Sequence, residues 1–184
     1  MKYILFISSL LIPAAAPAST PVQEGFAGAL RGCETWVLDP SSWADGTRSF
    51  ESKVGLGSMM GMVDNVGEAS LPPPAMRRAN HFWRINASAD SGYVLVVSDQ
   101  LPICHITGGG GTDIRTAVTT TLTAPEFSRH WTKTGEHSAN GLVSTEYRSV
   151  VDPKFSIIIS QPSADSWSLD RVQVIATAQY QLGG

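Results

Sequence analysis

The chain contains two cysteines, Cys33 and Cys104, and what they do depends on where the chain goes. Its first residues set the destination. Lys2 supplies a positive charge, "YILFISSLLI" is a short apolar run, and "PAAAPA" ends in small residues with Ala16 and Ala18 in Ala-x-Ala order. This is the pattern of a secretory signal peptide over residues 1–18, removed after Ala18 or close by. The run falls short of the roughly 20 apolar residues that a spanning helix needs, and no later stretch approaches that length. No cysteine follows it closely, so a lipid anchor is not expected. A periplasmic or secreted location is expected, and there an even pair of cysteines reads as a disulfide. Such a bond closes a separation of 71 residues, a constraint on the order of 4 kcal/mol in the chain-entropy picture. Bonded to Cys33, Cys104 is no nucleophile, and the neighbouring His105 has no thiol to activate.

Residues 19–184 suit one domain with one core. The 184-residue chain carries a net charge of −3, and loss of Lys2 makes the mature chain more acidic still. No basic cluster exceeds the pair Arg77 and Arg78, which reads as solvated surface. Nucleic acid and anionic membrane are therefore poor partners.

Along the chain, "EGFAGALRGCETWV" places Phe26, Leu30, Cys33 and Val37 on one stripe of an amphipathic helix. Gly25, Gly28 and Gly32 weaken that helix, and Pro40 ends it. Residues 40–80 read as a long irregular excursion, Gly/Met-rich over 55–67, with one short helix near Ser58 to Val63 and the stiff spacer "LPPPA". Binding, if any, is expected there. "HFWRINA" alternates with period two, "YVLVVS" is a β-branched run, and "LPICHIT" puts Cys104 and Ile106 opposite Ile103 and His105. "TDIRTAVTTTLTAPEF" gives a second helix through Ile114, Val118 and Leu122, with Thr112 as N-cap and Pro125 as its stop. A polar bridge precedes three further strands, "GLVSTEYRSV", "KFSIIISQ" and "RVQVIATAQYQ". The expected fold is α+β: an antiparallel sheet of about six strands with two helices packed against it. The two halves share an order of elements without a repeat of residues, which reads as a coincidence of scale.

The motifs that carry chemistry are thin. The run "TGGGGTD" offers glycines to an anion, but Asp113 stands where a phosphate would sit and no Lys follows. It reads as a flexible strand-to-helix connection. His81, His105, His130 and His137 lack metal-site spacing, and Glu126 with His130 supplies at most two ligands. Met59, Met60 and Met62 read as adaptable packing rather than copper ligands. Trp36, Trp43, Trp83, Trp131 and Trp167 read as core and rim residues. Asn86 heads a formal glycosylation sequon of little weight in a strand. Neither G-x-S-x-G nor S-x-x-K occurs. No catalytic, cofactor-binding or metal residue is assigned, and no cofactor is expected.

Taken with the signal peptide, "CETWVLDPSSWAD", "HFWRINA", "VVSDQLPICHIT" and "DRVQVIATAQY", the chain resembles small exported proteins of alphaproteobacteria, of unknown function. The resemblance implies an envelope or secreted location, one helix–sheet domain and a paired Cys33–Cys104, and it carries over no functional residues. The expected function is a non-enzymatic domain that binds a protein partner or small ligand. The rival is a periplasmic hydrolase whose active site is dispersed in sequence, with a histidine between a serine and a carboxylate.

Overall fold

The computed structural model describes residues 18–169 and 171–181. The expected signal peptide lies almost wholly outside the described residues. Helix α1 spans Pro21–Leu38. Thr20 caps it by accepting a hydrogen bond from the N–H of Gln23 at 3.2 Å, and Pro21 takes the first turn, where a missing N–H costs nothing. The short helices α2 (Ser41–Ala44) and α3 (Thr47–Val54) follow. The latter buries Phe50 and Val54 and ends on Gly55 in the left-handed region. Strand β1 (Met60–Val63) comes next, then two single 3₁₀ turns at Glu68–Ser70 and Pro74–Met76. Strands β2 (Asn80–Asn86), β3 (Ser91–Ser98) and β4 (Ile103–Gly110) complete the first half. The second half has α4 (Arg115–Thr123), α5 (Pro125–His130), β5 (Trp131–Ala139), β6 (Leu142–Ser149), β7 (Phe155–Pro162) and β8 (Val172–Tyr180).

The α+β class and the single antiparallel sheet are as the sequence predicts. The counts are not: the described residues form eight strands and five helices rather than about six and two. Part of the difference falls in 40–80, where α2, α3 and β1 stand in a stretch read as irregular. Around Ser58 to Val63 the expected short helix is a 3₁₀ turn at Gly57–Met59 running into β1. Pro125 stops α4 as predicted, but it also opens α5 from the first-turn position.

The strands run β1-β2-β3-β4-β8-β7-β6-β5, every neighbouring pair antiparallel. Each half is a helical segment followed by a four-stranded meander, and the last strands of the two meanders, β4 and β8, pair at the centre. The order reads the same from either edge, so the halves are topologically equivalent. The shared order of elements is more than a matter of scale.

All the core side chains from the helices meet one face of the sheet. Helix α1 lies across β3 and β4, and α4 packs on α1 and β8. Two polar handles fix α1 along β3: the Tyr93 hydroxyl donates to the carbonyl of Val22 at 3.0 Å, and Trp36 Nε1 to that of Ser98 at 3.0 Å. A Cβ at Gly28 would overlap Leu56, and one at Gly32 would crowd Leu95. The glycines that weaken α1 as a helix let it approach its neighbours closely. Cys33 and Cys104, both fully buried, form the expected disulfide between α1 and β4. No helix among the described residues is long and apolar enough to cross a membrane.

Candidate functional site

The helix-free face carries the chemistry. The strand registers place Arg84, Val94 and Thr107 in one row across β2, β3 and β4 on that face. The next row is Asn86, Gly92 and Gly109. Gly92 and Gly109 leave the second row low, a trough beside the first in which the carbonyls of Ile85 and Arg171 stand where Cβ atoms would be. The turn at Ala69 and Ser70 lies over it, Asp90 and Arg171 stand at its rim, and the resulting groove has a volume of about 640 Å³. Neither Arg84 nor Arg171 is paired with a carboxylate among the described residues.

Thr107 is the anomaly in this wall. It is 3% exposed, and its Oγ1 is buried without a hydrogen-bond partner among the described residues. Leaving a buried hydroxyl unpaired costs about 1–3 kcal/mol. A threonine on an exposed strand position would carry no such cost. Thr107 lines the groove, and a change of χ1 well would be needed to turn its hydroxyl from this buried position toward a ligand.

The glycine run lies in β4 through Gly110, so it is no flexible connection. A Cβ at Gly108 would drive into the Tyr93 ring on the helix face, and one at Gly109 into the backbone carbonyl of Arg171. Gly110 has φ +128°, a conformation that L side chains rarely adopt. The link to α4 is pinned by Gln173, which is fully buried. Its Oε1 accepts from Ile114 N at 2.9 Å, while its Nε2 donates to the carbonyls of Gly110 and Thr112 at 3.1 and 3.0 Å. Thr112 does not cap α4: its hydroxyl donates to Asp90 Oδ1 at 2.8 Å, and its N–H to Ser91 Oγ at 2.9 Å. Asp113 serves the helix start instead, accepting from Arg115 N at 3.0 Å. Hydrogen bonds from Thr112, then Ser88 and Ser91, hold the Asp90 carboxyl below the usual range, so it is ionised at the rim.

The histidines are scattered. His81 bonds Asp99 at 2.8 Å and lies against the Trp36 and Trp83 rings. His130 meets Glu34 at 3.3 Å, while Glu126 pairs with Arg129 rather than sharing a ligand with it. His105 is only 5% exposed and shares a hydrogen bond of 2.8 Å with the Thr177 hydroxyl. Burial pushes its imidazole down to about 4, so it is neutral at pH 7. Among the described residues no histidine bridges a hydroxyl and a carboxylate, and no three His, Cys, Asp or Glu side chains gather as a metal site.

Of the tryptophans, Trp36, Trp83 and Trp131 are core; Trp43 stacks on Trp36, and Trp167 lies beneath the Arg115 guanidinium at 3.9 Å. Met60 is core and Met59 packs against it. Arg77 and Arg78 are exposed, as the surface reading has them, and Arg77 pairs there with Glu68 at 2.8 Å.

A second cavity of about 620 Å³ opens between α1 and α5, with Arg31, Glu34, Glu126 and His130 in its walls. Those polar groups already have partners, since Arg31 donates to the carbonyl of Val54 and the rest are paired as above. Among the described residues, only the groove on the other face combines unpaired cations with an orphaned hydroxyl. Comparison with family models, with curated proteins and with solved structures gives no match.

Proposed function

We propose that this protein is an exported binding domain that takes a small molecule in the groove between Arg84, Thr107 and Gly109. The observation that carries the reading is the Thr107 hydroxyl, buried and unpaired in the groove wall. A buried polar group without a partner calls for an explanation, and a bound group that relieves the cost supplies one. Three further features support it. The groove is roomy enough for a small ligand rather than a macromolecular surface. It is floored by glycines that no side chain can replace without moving backbone. Its overhanging turn belongs to the excursion where the sequence leads one to expect binding. Export rests on the leader pattern, with which the Cys33–Cys104 bond is compatible.

Native mass spectrometry of the protein recovered from its own envelope fraction tests this. Wild-type protein should carry a small-molecule adduct. Ser70→Trp, which fills the groove from the overhanging turn without touching the sheet, should not. Equal occupancy in both, or none in either, contradicts the reading.

A further inference from the structure

We infer that the groove binds a small ligand through an oxyanion, a carboxylate or phosphate group, held by Arg84 and Arg171 with the Thr107 hydroxyl as donor. This rests on the groove being the binding site and adds the chemistry of what enters it. Arg84 stands two positions from Thr107 in the same cross-sheet row, with only Val94 between them. Arg171 borders the trough from the start of β8, its own carbonyl against Gly109. A guanidinium presents a planar fork of N–H donors that matches an oxyanion two bonds at a time, and it keeps its charge at any physiological pH. Two such forks without a carboxylate partner among the described residues, lining a groove whose wall also holds an unpaired hydroxyl, make an oxyanion the ligand group that would satisfy all three.

Asp90 sets the polarity of the groove. Its Oδ1 is occupied by the hydroxyls of Ser88, Ser91 and Thr112, so it offers nothing to an anion and repels one. The oxyanion therefore sits at the Arg84–Thr107 end, away from Asp90. Removing that negative charge should tighten binding. The glycine run contributes after all, though not as a phosphate loop at a helix start. Gly92 and Gly109 keep side chains off the groove floor, where the carbonyls of Ile85 and Arg171 stand in the place of their Cβ atoms.

The test is a titration of the ¹⁵N-labelled protein with sodium phosphate, with succinate and with glucose, at ionic strength held constant with sodium chloride. The backbone amides of Gly92 and Gly109 and the Nε–H groups of Arg84 and Arg171 are followed. Saturable shifts with phosphate or with succinate are expected, the stronger of the two identifying the oxyanion. Arg84→Gln and Arg171→Gln, at exposed positions that do not support the core, should each weaken binding at least about tenfold. Asp90→Asn should strengthen it about threefold. Anion shifts unchanged in both arginine variants would overturn the inference. Saturation by glucose with neither anion bound would also overturn it while leaving the groove a binding site. Silence from all three probes would overturn both readings together.

Discussion

His105 and Thr177 face each other across the central pair β4 and β8, with Nδ1 2.8 Å from Oγ1, where the two halves of the sheet meet. Burial of the imidazole there makes acid sensitivity a property of the seam. The folded imidazole titrates at about 4, below the ~6.5 of an unfolded histidine. Between those values the unfolded chain holds a proton that the folded one does not, so stability rises with pH. The contribution is intact above about pH 6.5, falls as pH drops through the window, and amounts to about 3 kcal/mol in full. His105→Gln keeps a hydrogen-bonding side chain and removes the titration. Its urea denaturation curves should be less stable than wild type at pH 7 by about 1–2 kcal/mol, with the gap closing as pH falls and reversing by pH 4. A gap independent of pH would mean that His105 is not buried neutral. The same geometry makes His105, left by the disulfide without a thiol to activate, a structural part of the sheet seam.

Gln173 joins three backbone groups of the β4–α4 link with one fully buried amide. Gln173→Leu keeps the bulk and orphans one N–H and two carbonyls. A loss on the order of 3 kcal/mol or more is expected in chemical denaturation. A loss under about 1 kcal/mol would show that water replaces the amide.

Read as a flexible strand-to-helix connection, the glycines of β4 would tolerate single serine substitutions except where a positive φ is needed. The structure predicts the opposite at Gly108 and Gly109, where a Cβ meets the Tyr93 ring and a neighbouring carbonyl. Gly109→Ala should lower the thermal midpoint by an amount equivalent to about 2 kcal/mol or more, because one side of the clash is backbone. Gly111→Ala meets only the Asp90 side chain and should cost less. Equal midpoints for the two variants would refute the assignment of Gly109 to the strand.

The Cys33–Cys104 bond holds α1 to the central strand. A Cys33→Ala, Cys104→Ala double variant should lose about 2–5 kcal/mol, measured by guanidinium denaturation beside wild type. Free thiol detected in the unreduced wild-type protein would contradict the bond itself.

The sequence made legible those elements whose own side chains bury a face. The alternation in "HFWRINA" and the run "FSIIIS" place β2 and β7 within a residue or so of their ends. Strand β5 escaped because only Trp131 is buried along it; its polar residues suit an exposed sheet edge, and nothing in their pattern marks a strand. Strand β1 escaped through its length, four residues containing a glycine. The extension of β4 through Gly110 was hidden because glycine signals a turn locally, while here it answers a crowding that exists only once β3 and β8 are in place. The groove was illegible for a related reason. Arg84 and Thr107 become neighbours through two strand registers, and no spacing in the chain encodes that. The excursion over 40–80 did point to it, through the turn at Ala69 and Ser70.

The most direct measurement compares Thr107 with valine at the same position, for folding and for binding. Valine matches threonine in shape and removes only the hydroxyl. If that hydroxyl is unpaired in the free protein and used by the ligand, Thr107→Val should unfold at the same or higher denaturant concentration, by up to about 1–2 kcal/mol. The same variant should bind phosphate or succinate several-fold more weakly. A variant destabilised by more than about 1 kcal/mol, with its anion affinity unchanged, would show that Thr107 is an ordinary partnered residue and would remove the groove's claim to be a site.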